Sequence, residues 1–237
     1  MLKQITLEPS TYHSPGATKP VKVVLFDFDG TIADSFDVIL ALTNRIARDF
    51  GYKPASPEQI KQLQNLTSRE IIRQSQIPVY KLPFLLRRLK TEMTQEVVHL
   101  QPIPGIPEAL QQLKQLGYTL GIVTSNTYDN VMIFLAQHGM QTLFDVIETE
   151  VTLFGKARVI HQVLRRYRFP VDAVIYVGDE TRDVEAARKL RMKMVAVGWG
   201  FNSCRALGEM EPDVLLQKPD ELVDAIARLT SATQPTS

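Results

Sequence analysis

The chain has 237 residues, which is long enough to bury one large core or a main domain with a second domain inserted in it. Its hydrophobic fraction of 44%, its charged fraction of 22% and its net charge of +1 are ordinary for a soluble globular protein, and its mixed charges give no sign of a nucleic-acid-binding surface. No apolar run is long enough to cross a membrane, the four histidines lack the spacing of a zinc site, and the single cysteine, Cys204, excludes an internal disulfide and fits a reducing compartment such as the cytoplasm.

The first strong structural signal follows a leader without apolar core. Residues 1–20 resemble neither a signal peptide nor a membrane anchor, and we predict that they are partly disordered. The run from Val21 to Phe26 is apolar apart from Lys22 and rich in β-branched valine, which predicts a buried strand that ends at Asp27. Asp27 and Asp29 come at its end, and because alternate residues of an extended chain point the same way, their carboxylates are expected to reach one small volume. Two carboxylates this close repel each other and lose hydration, which costs free energy unless a cation or a shared proton offsets the charge. Gly30 then allows a sharp turn of the backbone.

The segment that follows contains helical signals and no convincing strand. Ser35 is a favourable N-cap for a helix over residues 36–50, which Gly51 would end. Three further signals come in chain order: an N-cap followed by proline at Ser56 and Pro57, a capping box from Thr67 to Glu70, and an amphipathic stretch over residues 81–100. We therefore predict an all-helical inserted domain over residues 35–101.

A proline-rich linker at residues 101–107 precedes a different pattern, in which apolar strands alternate with helices. The predicted elements are helix 107–116, strand 118–125, helix 128–137, strand 144–150, helix 156–167, strand 173–179, helix 182–190, strand 194–198, strand 214–217 and a helix to about residue 229. This alternation predicts an α/β fold with a doubly wound parallel sheet in the strand order 3-2-1-4-5. Residues 21–34 and 102–230 would form this core, and residues 231–237 a frayed tail.

Polar residues follow two further strands, at the sheet edge where ligands bind in such folds. Thr124, Ser125 and Asn126 precede a helix, and their hydroxyl and N–H groups suit an anion, although such a triplet is by itself usually a helix cap. Asp179 ends a later strand, and Asp183 follows one helical turn on. Oxygen ligands at this density suit Mg²⁺, although a Gly-Asp turn with a capping acid has the same appearance.

Lys156 begins a predicted helix, where the helix dipole disfavours a cation, so an anionic partner is expected, although a solvated lysine is the simpler interpretation. With it, the chain contains four motifs that in their order resemble those of the haloacid dehalogenase superfamily of phosphatases: Asp27-Phe28-Asp29-Gly30-Thr31, Thr124, Lys156, and Gly178-Asp179 with Asp183. The resemblance covers residues 22–229 and extends to phosphoglycolate phosphatases with a C1-type helical cap. Many members have prolines after the third-motif lysine, whereas this chain has Ala157 and Arg158.

The resemblance implies a Mg²⁺-dependent phosphomonoester hydrolase. In the pattern of that family, Asp27 attacks phosphorus to form an aspartyl-phosphate, and Asp29, which members acting on carbon-halogen bonds lack, serves as general acid and base. The implied metal ligands are Asp27, the backbone carbonyl of Asp29, Asp179 and Asp183. Glu180 is an open alternative to Asp183. The implied phosphate-binding residues are Gly30, Thr31, Thr124, Ser125, Asn126 and Lys156.

The helical insert resembles a lid that reads the leaving group together with the loop at residues 198–202. A small carboxylated substrate, such as phosphoglycolate or a related organic phosphate, would need a cation from the insert, and four are available: Arg69, Arg73, Lys81 and Arg87. The implied partner is a small phosphorylated metabolite, with neither nucleic acid nor membrane, and the protein is expected to be a cytoplasmic monomer or homodimer. Two alternatives stay open: a phosphosugar mutase of the same superfamily, and a receiver-type signalling module that holds a phospho-aspartate.

Overall fold

A computed structural model gives the fold and describes residues 22–75, 77–149, 152 and 155–231. The predicted leader at residues 1–20 and the last six residues of the predicted tail lie outside the described residues. Within the described ranges the chain forms six strands: β1 Val23–Phe26, β2 Thr119–Val123, β3 Val146–Glu148, β4 Val174–Gly178, β5 Lys193–Val197 and β6 Val214–Leu216.

The six strands form one parallel sheet in the order β3-β2-β1-β4-β5-β6. Strand β1 lies in its centre, where Val24 pairs with Leu120 of β2 and with Ile175 of β4. All four residues of β1 are apolar and buried, as expected for a strand that is covered on both faces. The predicted α/β class and the order of the first five strands are confirmed, and β6 extends the sheet beyond β5.

Helices cover both faces of this sheet. The described helices are α1 Phe36–Phe50, α2 Pro57–Leu63, α3 Ser68–Ser75, α4 Leu82–Glu96, α5 Ile106–Gln115, α6 Tyr128–Gln137, α7 Lys156–Tyr167, α8 Thr181–Leu190, α9 Cys204–Glu209 and α10 Leu222–Ser231. Because alternate strand residues point to opposite faces, Val24 and Phe26 share a core with α5, α6 and α10, whereas Val23 and Leu25 share one with α7, α8 and α9. The parallel sheet is thus buried between two layers.

Three predicted helices, over residues 36–50, 128–137 and 156–167, have the observed bounds. Ser35 occupies the predicted N-cap position of α1, but its hydroxyl makes no capping hydrogen bond. Helix α9 was not predicted, because six residues that include a glycine carry too little periodicity to identify a helix. The edge strand β3 is shorter than predicted, with three residues in place of seven.

Helices α1 to α4 follow β1 and form the helical insert. The predicted capping box at Thr67 is present, since Thr67 N donates to Glu70 Oε2 at 2.8 Å and Glu70 N donates to Thr67 Oγ1 at 3.3 Å. Helix α1 packs along α4, and Arg45 pairs with Glu92 across them at 2.5 Å. No helix in the described part of the chain combines the length and the apolar character that crossing a membrane requires.

Gly121 of β2 offers a test of this packing. An added Cβ would lie 2.6 Å from Leu25 Cδ2 and 3.2 Å from Val146 Cβ, and both neighbours are buried. We expect Gly121→Ala to lower the free energy of unfolding by about 1–3 kcal/mol, because overpacking strains a filled core. Denaturant titration would measure the loss, and a second change, Leu25→Val, should reduce it by making room.

The control for this substitution is Gly208→Ala. A Cβ at Gly208 would meet only Leu215 Cδ2, at an ordinary 3.7 Å. That variant should therefore unfold at nearly the wild-type denaturant concentration. Equal stability of Gly121→Ala and Gly208→Ala would contradict the packing described for β2.

Candidate active site

The carboxyl ends of three neighbouring strands bring the candidate catalytic residues to one edge of the sheet. Asp27 follows β1, Thr124 follows β2 and Asp179 follows β4, and β1 lies between the other two. Asp183 joins them from the first turn of α8, and Lys156 from the start of α7. All five side chains are buried. The sheet order thus assembles groups that are distant in the sequence.

Three carboxylates form a compact acidic cluster. Asp27, Asp179 and Asp183 each offer one oxygen, and these oxygens lie within 4.8 Å of one another. Burial raises the pKa of Asp179 and of Asp183 above the usual range, since a desolvated carboxylate beside like charges is costly to ionise. A hard divalent cation would remove that cost and prefers oxygen ligands of this kind. The donor set therefore fits a metal ion.

Asp179 is held in place by two neighbouring segments. Its Oδ1 accepts a hydrogen bond from Thr31 Oγ1 at 2.7 Å, and its Oδ2 accepts one from Phe201 N, also at 2.7 Å. A Cβ at Gly30 or at Gly200 would lie only 2.4 or 2.2 Å from Asp179 Oδ2, so both close approaches require glycine. Gly30 also has a φ of 73°, which glycine adopts without strain. Thr31, a predicted phosphate ligand, contacts the acidic cluster through its hydroxyl.

Lys156 lies between two members of the acidic cluster. Its Nζ donates to Asp27 Oδ2 at 2.5 Å and to Asp183 Oδ1, and its side chain is 3% exposed. Burial acts to lower the pKa of Lys156, but the carboxylates of Asp183 and Asp27 outweigh burial and raise that pKa well above its usual value. The ammonium therefore stays charged. Asp27 and Asp183 are the anionic partners that the position of Lys156 at a helix start predicted.

Asp29 lies beside this cluster, with its carboxylate held by Asn126. The Asn126 Nδ2 donates to Asp29 Oδ2 at 3.0 Å and to Oδ1 at 3.3 Å. Although part of the Asp29 surface is exposed, burial of its carboxyl, followed by the charge of Asp27, raises the pKa of Asp29 to about 6. The hydrogen bonds from Asn126 act to lower this pKa, but they do not offset burial and the charge of Asp27. A carboxyl of this kind can both give and take a proton near neutral pH.

The loop after β2 carries the predicted triplet Thr124, Ser125 and Asn126 just before α6. Thr124 Oγ1 accepts a hydrogen bond from Asn126 N at 3.0 Å, and the Asn126 Oδ1 accepts one from Asn130 Nδ2 at 2.9 Å. The second contact turns the Asn126 amide so that its donor group meets Asp29. Ser125 is half-buried in the same loop, at the start of a helix where anions are favoured. Asn126 was predicted as a phosphate ligand, and its side chain contacts the acid Asp29.

The helical insert meets the site through the turn between α2 and α3. Asn202 Nδ2 donates to the backbone oxygens of Gln64 and Leu66 at 3.0 and 2.9 Å. Its Oδ1 accepts a hydrogen bond from Thr181 N at 2.9 Å, and its own N donates to Asp179 O at 3.2 Å. One buried side chain therefore connects the insert to the strand end that carries the acidic cluster.

Glu180 was the open alternative to Asp183 as a metal ligand. The Glu180 carboxylate accepts from Arg182 Nη2 at 2.5 Å and from Ser68 Oγ of the insert at 3.3 Å. Asp183, by contrast, lies in the acidic cluster. Arg182 lines a cleft of about 310 Å³, including its open mouth, with Lys156, with Arg69 of α3 and with Glu185 and Lys189 of α8.

Sequence reasoning missed three polar residues that contact the site. Asn130 orients Asn126, Arg182 pairs with Glu180, and the ring of Tyr176 lies beneath Lys156 Nζ, whose distance from the ring centroid is 5.6 Å. The available signals were an arginine between the two acids of the fourth motif and a tyrosine in an otherwise aliphatic strand. Asn130 offered none, because its partner becomes apparent only in the folded loop.

The chain resembles known proteins in both sequence and fold. Residues 24–197 match the family model of haloacid dehalogenase-like hydrolases. A phosphoglycolate phosphatase from Synechococcus elongatus is 38% identical over 209 residues, which cover 88% of this chain and 99% of that protein.

Two solved structures share the fold. A predicted phosphatase from Clostridium acetobutylicum has a TM-score of 0.76 and 21% identity, covering 89% of this chain and 100% of that one. A predicted phosphoglycolate phosphatase from Haemophilus somnus has a TM-score of 0.70 and 18% identity, covering 89% of this chain and 99% of that one. The chain therefore belongs to the haloacid dehalogenase-like hydrolases, as one of their phosphatases.

Proposed function

We propose that this phosphatase hydrolyses the phosphate monoester of a small organic acid, with phosphoglycolate as the first candidate, in a Mg²⁺-dependent reaction through an aspartyl-phosphate. The observation that carries the proposal is the position of the Lys156 ammonium, which lies 2.5 Å from the Asp27 carboxylate and also donates to Asp183 of the acidic cluster. The name of the Synechococcus elongatus relative supports the choice of phosphoglycolate. The expected setting is the cytoplasm, with the protein as a monomer or homodimer.

The residues that would hold Mg²⁺ are Asp27, Asp179 and Asp183, with the backbone carbonyl of Asp29 as a further ligand. Carboxylate and carbonyl oxygens are the ligands that Mg²⁺ prefers, and the ion usually keeps waters and a substrate phosphate in its remaining positions. When bound, it supplies positive charge that offsets the negative charge of the phosphoryl group. The close spacing of the three carboxylate oxygens supports this assignment.

Asp27 is the nucleophile in this mechanism. One of its carboxylate oxygens forms a bond to phosphorus while the bond from phosphorus to the ester oxygen breaks. The Lys156 ammonium stabilises negative charge on Asp27 and on the phosphoryl oxygens, and it does so in a site from which water is largely excluded. Thr124, Ser125 and backbone N–H groups after β2 hold the remaining phosphoryl oxygens.

Asp29 is the general acid and general base of the mechanism. It donates to the departing ester oxygen, and its carboxylate then accepts a proton from the water that hydrolyses the aspartyl-phosphate. A pKa of about 6 supports both steps, because each protonation state is accessible near neutral pH. Asn126 orients the carboxylate by donating to both of its oxygens.

The helical insert at residues 35–101 acts as the cap over the core at residues 21–34 and 102–230. The hydrogen bonds from Asn202 to the turn after α2 support this role, since they hold the insert over the site. Of the four candidate cations of the insert, Arg69 is our choice for the carboxylate of the leaving group. It follows that turn and lines a cleft with Lys156 and Arg182, where its guanidinium lies 3.9 Å from the Glu185 carboxylate.

Asp27→Asn tests the nucleophile while keeping the shape of the side chain. We expect kcat for p-nitrophenyl phosphate to fall about a thousandfold or more, because an amide cannot form the phospho-enzyme. Lys156 keeps Asp183 as a partner, so the variant should still fold. Near-native turnover by this variant would remove Asp27 from the mechanism.

The same preparation of wild-type protein separates the alternative functions. A phosphatase releases inorganic phosphate from many substrate molecules per enzyme. A stable phospho-aspartate without turnover would instead support a receiver-type module, and return of the phosphoryl group to a sugar hydroxyl would support a mutase.

Metal binding can be measured without turnover. At about a hundred times its Kd, Mg²⁺ should stabilise the wild-type fold by about 2.7 kcal/mol, which corresponds to a rise in Tm of roughly 5–10 °C. Asp179→Asn should lose most of this rise, whereas Glu180→Gln should keep it because Glu180 is engaged by Arg182 and Ser68. Turnover should also stop in excess chelator. A rise that survives Asp179→Asn would refute the assigned site.

Arg69→Gln tests whether Arg69 binds the carboxylate of the substrate. A lost hydrogen bond to a charged group costs about 1.5–3 kcal/mol, so kcat/KM for phosphoglycolate should fall about 10- to 100-fold. Turnover of p-nitrophenyl phosphate, which has no carboxylate, should stay within a few-fold of wild type. Arg73→Gln in the same helix is the matched control, and an equal loss in both variants would argue against a specific role for Arg69.

A further inference from the structure

Tyr176 is a tyrosine in the middle of a buried, otherwise aliphatic strand. It lies on β4, fully buried, between Ile175 and Val177. Aliphatic residues at such positions need no polar partner, whereas a buried tyrosine must satisfy its hydroxyl. The buried hydroxyl of Tyr176 therefore needs a hydrogen-bond partner inside the core.

The hydroxyl of Tyr176 reaches across the central strand. It donates to Val123 O at 3.2 Å, and Val123 is the last residue of β2, directly before Thr124. Because β1 lies between β4 and β2, and Tyr176 is paired with Leu25 of β1, the side chain spans the central strand. Burial raises the pKa of Tyr176 well above its usual value, so the hydroxyl keeps the proton that it donates.

The ring of Tyr176 faces the ammonium of Lys156. The distance from Nζ to the ring centroid is 5.6 Å, within the range in which a cation is attracted to an aromatic face. The other close partners of this ammonium are Asp27 and Asp183. Aliphatic side chains in place of the ring would give the buried ammonium no electrostatic attraction. The ring of Tyr176 attracts the ammonium without adding a negative charge.

We propose that Tyr176 is a positioning residue for Lys156, an inference that rests on the proposed phosphatase mechanism and deepens it. The ring holds the ammonium between Asp27 and Asp183, so that Nζ stays directed at the phosphoryl group when substrate enters. A third carboxylate in its place would compete with phosphate for the lysine. An aromatic ring holds the cation and leaves its charge available.

The test compares Tyr176→Phe, which keeps the ring, with Tyr176→Leu, which removes it. Two quantities are measured: kcat/KM for p-nitrophenyl phosphate, and the Kd of inorganic phosphate by calorimetry in the presence of Mg²⁺. We expect Tyr176→Phe to stay within about twofold of wild type in both. Tyr176→Leu should lose tenfold or more in kcat/KM and bind phosphate correspondingly less tightly.

Tyr118 provides the matched control. It is also buried, its hydroxyl bonds to Thr230 Oγ1 at 3.0 Å, and Lys22 Nζ lies 5.1 Å from its ring centroid, but it precedes β2 at the opposite end of the sheet. Tyr118→Leu should lower Tm about as much as Tyr176→Leu and leave kcat/KM unchanged at temperatures where both are folded. If Tyr176→Leu fails to fold, Tyr176→Met fills the space with a flexible apolar chain and is expected to show the same losses.

Two results would overturn the inference. Tyr176→Leu and Tyr176→Met with wild-type kcat/KM and phosphate affinity would show that the ring does not position the lysine. Equal losses in Tyr176→Phe and Tyr176→Leu would assign the effect to the hydroxyl. A wild-type protein that neither binds phosphate nor hydrolyses the ester would overturn the proposed function itself, whereas normal wild-type behaviour with unaffected variants overturns only the role of Tyr176.

Discussion

Lys156 is buried between the carboxylates of Asp27 and Asp183, and the rest of the site depends on this arrangement of charges. Buried acids repel one another and lose hydration, and a single ammonium cannot offset a cluster that also contains Asp179. The remaining negative charge makes the site receptive to a divalent cation. The same ammonium adjoins the candidate nucleophile, so the group that stabilises the folded site also prepares it for an anionic substrate.

The parallel sheet places these groups where they can interact. Each strand runs in the same direction, so every strand end that carries a functional residue lies at the same edge. The central position of β1 sets Asp27 between Thr124 and Asp179. Close packing at this edge limits which residues can stand nearby: Gly30 and Gly200 approach the Asp179 carboxylate so closely that no side chain fits.

The contact between insert and core connects the proposed cap to the acidic cluster. Asn202 uses both amide hydrogens on the turn after α2 and its amide oxygen on Thr181 N, next to the acidic cluster. Ser68 adds a contact to Glu180 from the same part of the insert. A change in the position of this turn would therefore alter both the proposed leaving-group site and the surroundings of the acidic cluster.

The sequence by itself determined the α/β class, the six strands, the order of the first five and the acids that follow β1 and β4, because apolar periodicity and turn residues are local signals. It also marked Lys156 through its unfavourable place at a helix start. The tertiary structure alone decided that Asn126 contacts Asp29 and that Tyr176 lies beneath Lys156. These contacts join separate strands and loops, and their partners become neighbours only when the sheet is assembled, so no local pattern could encode them.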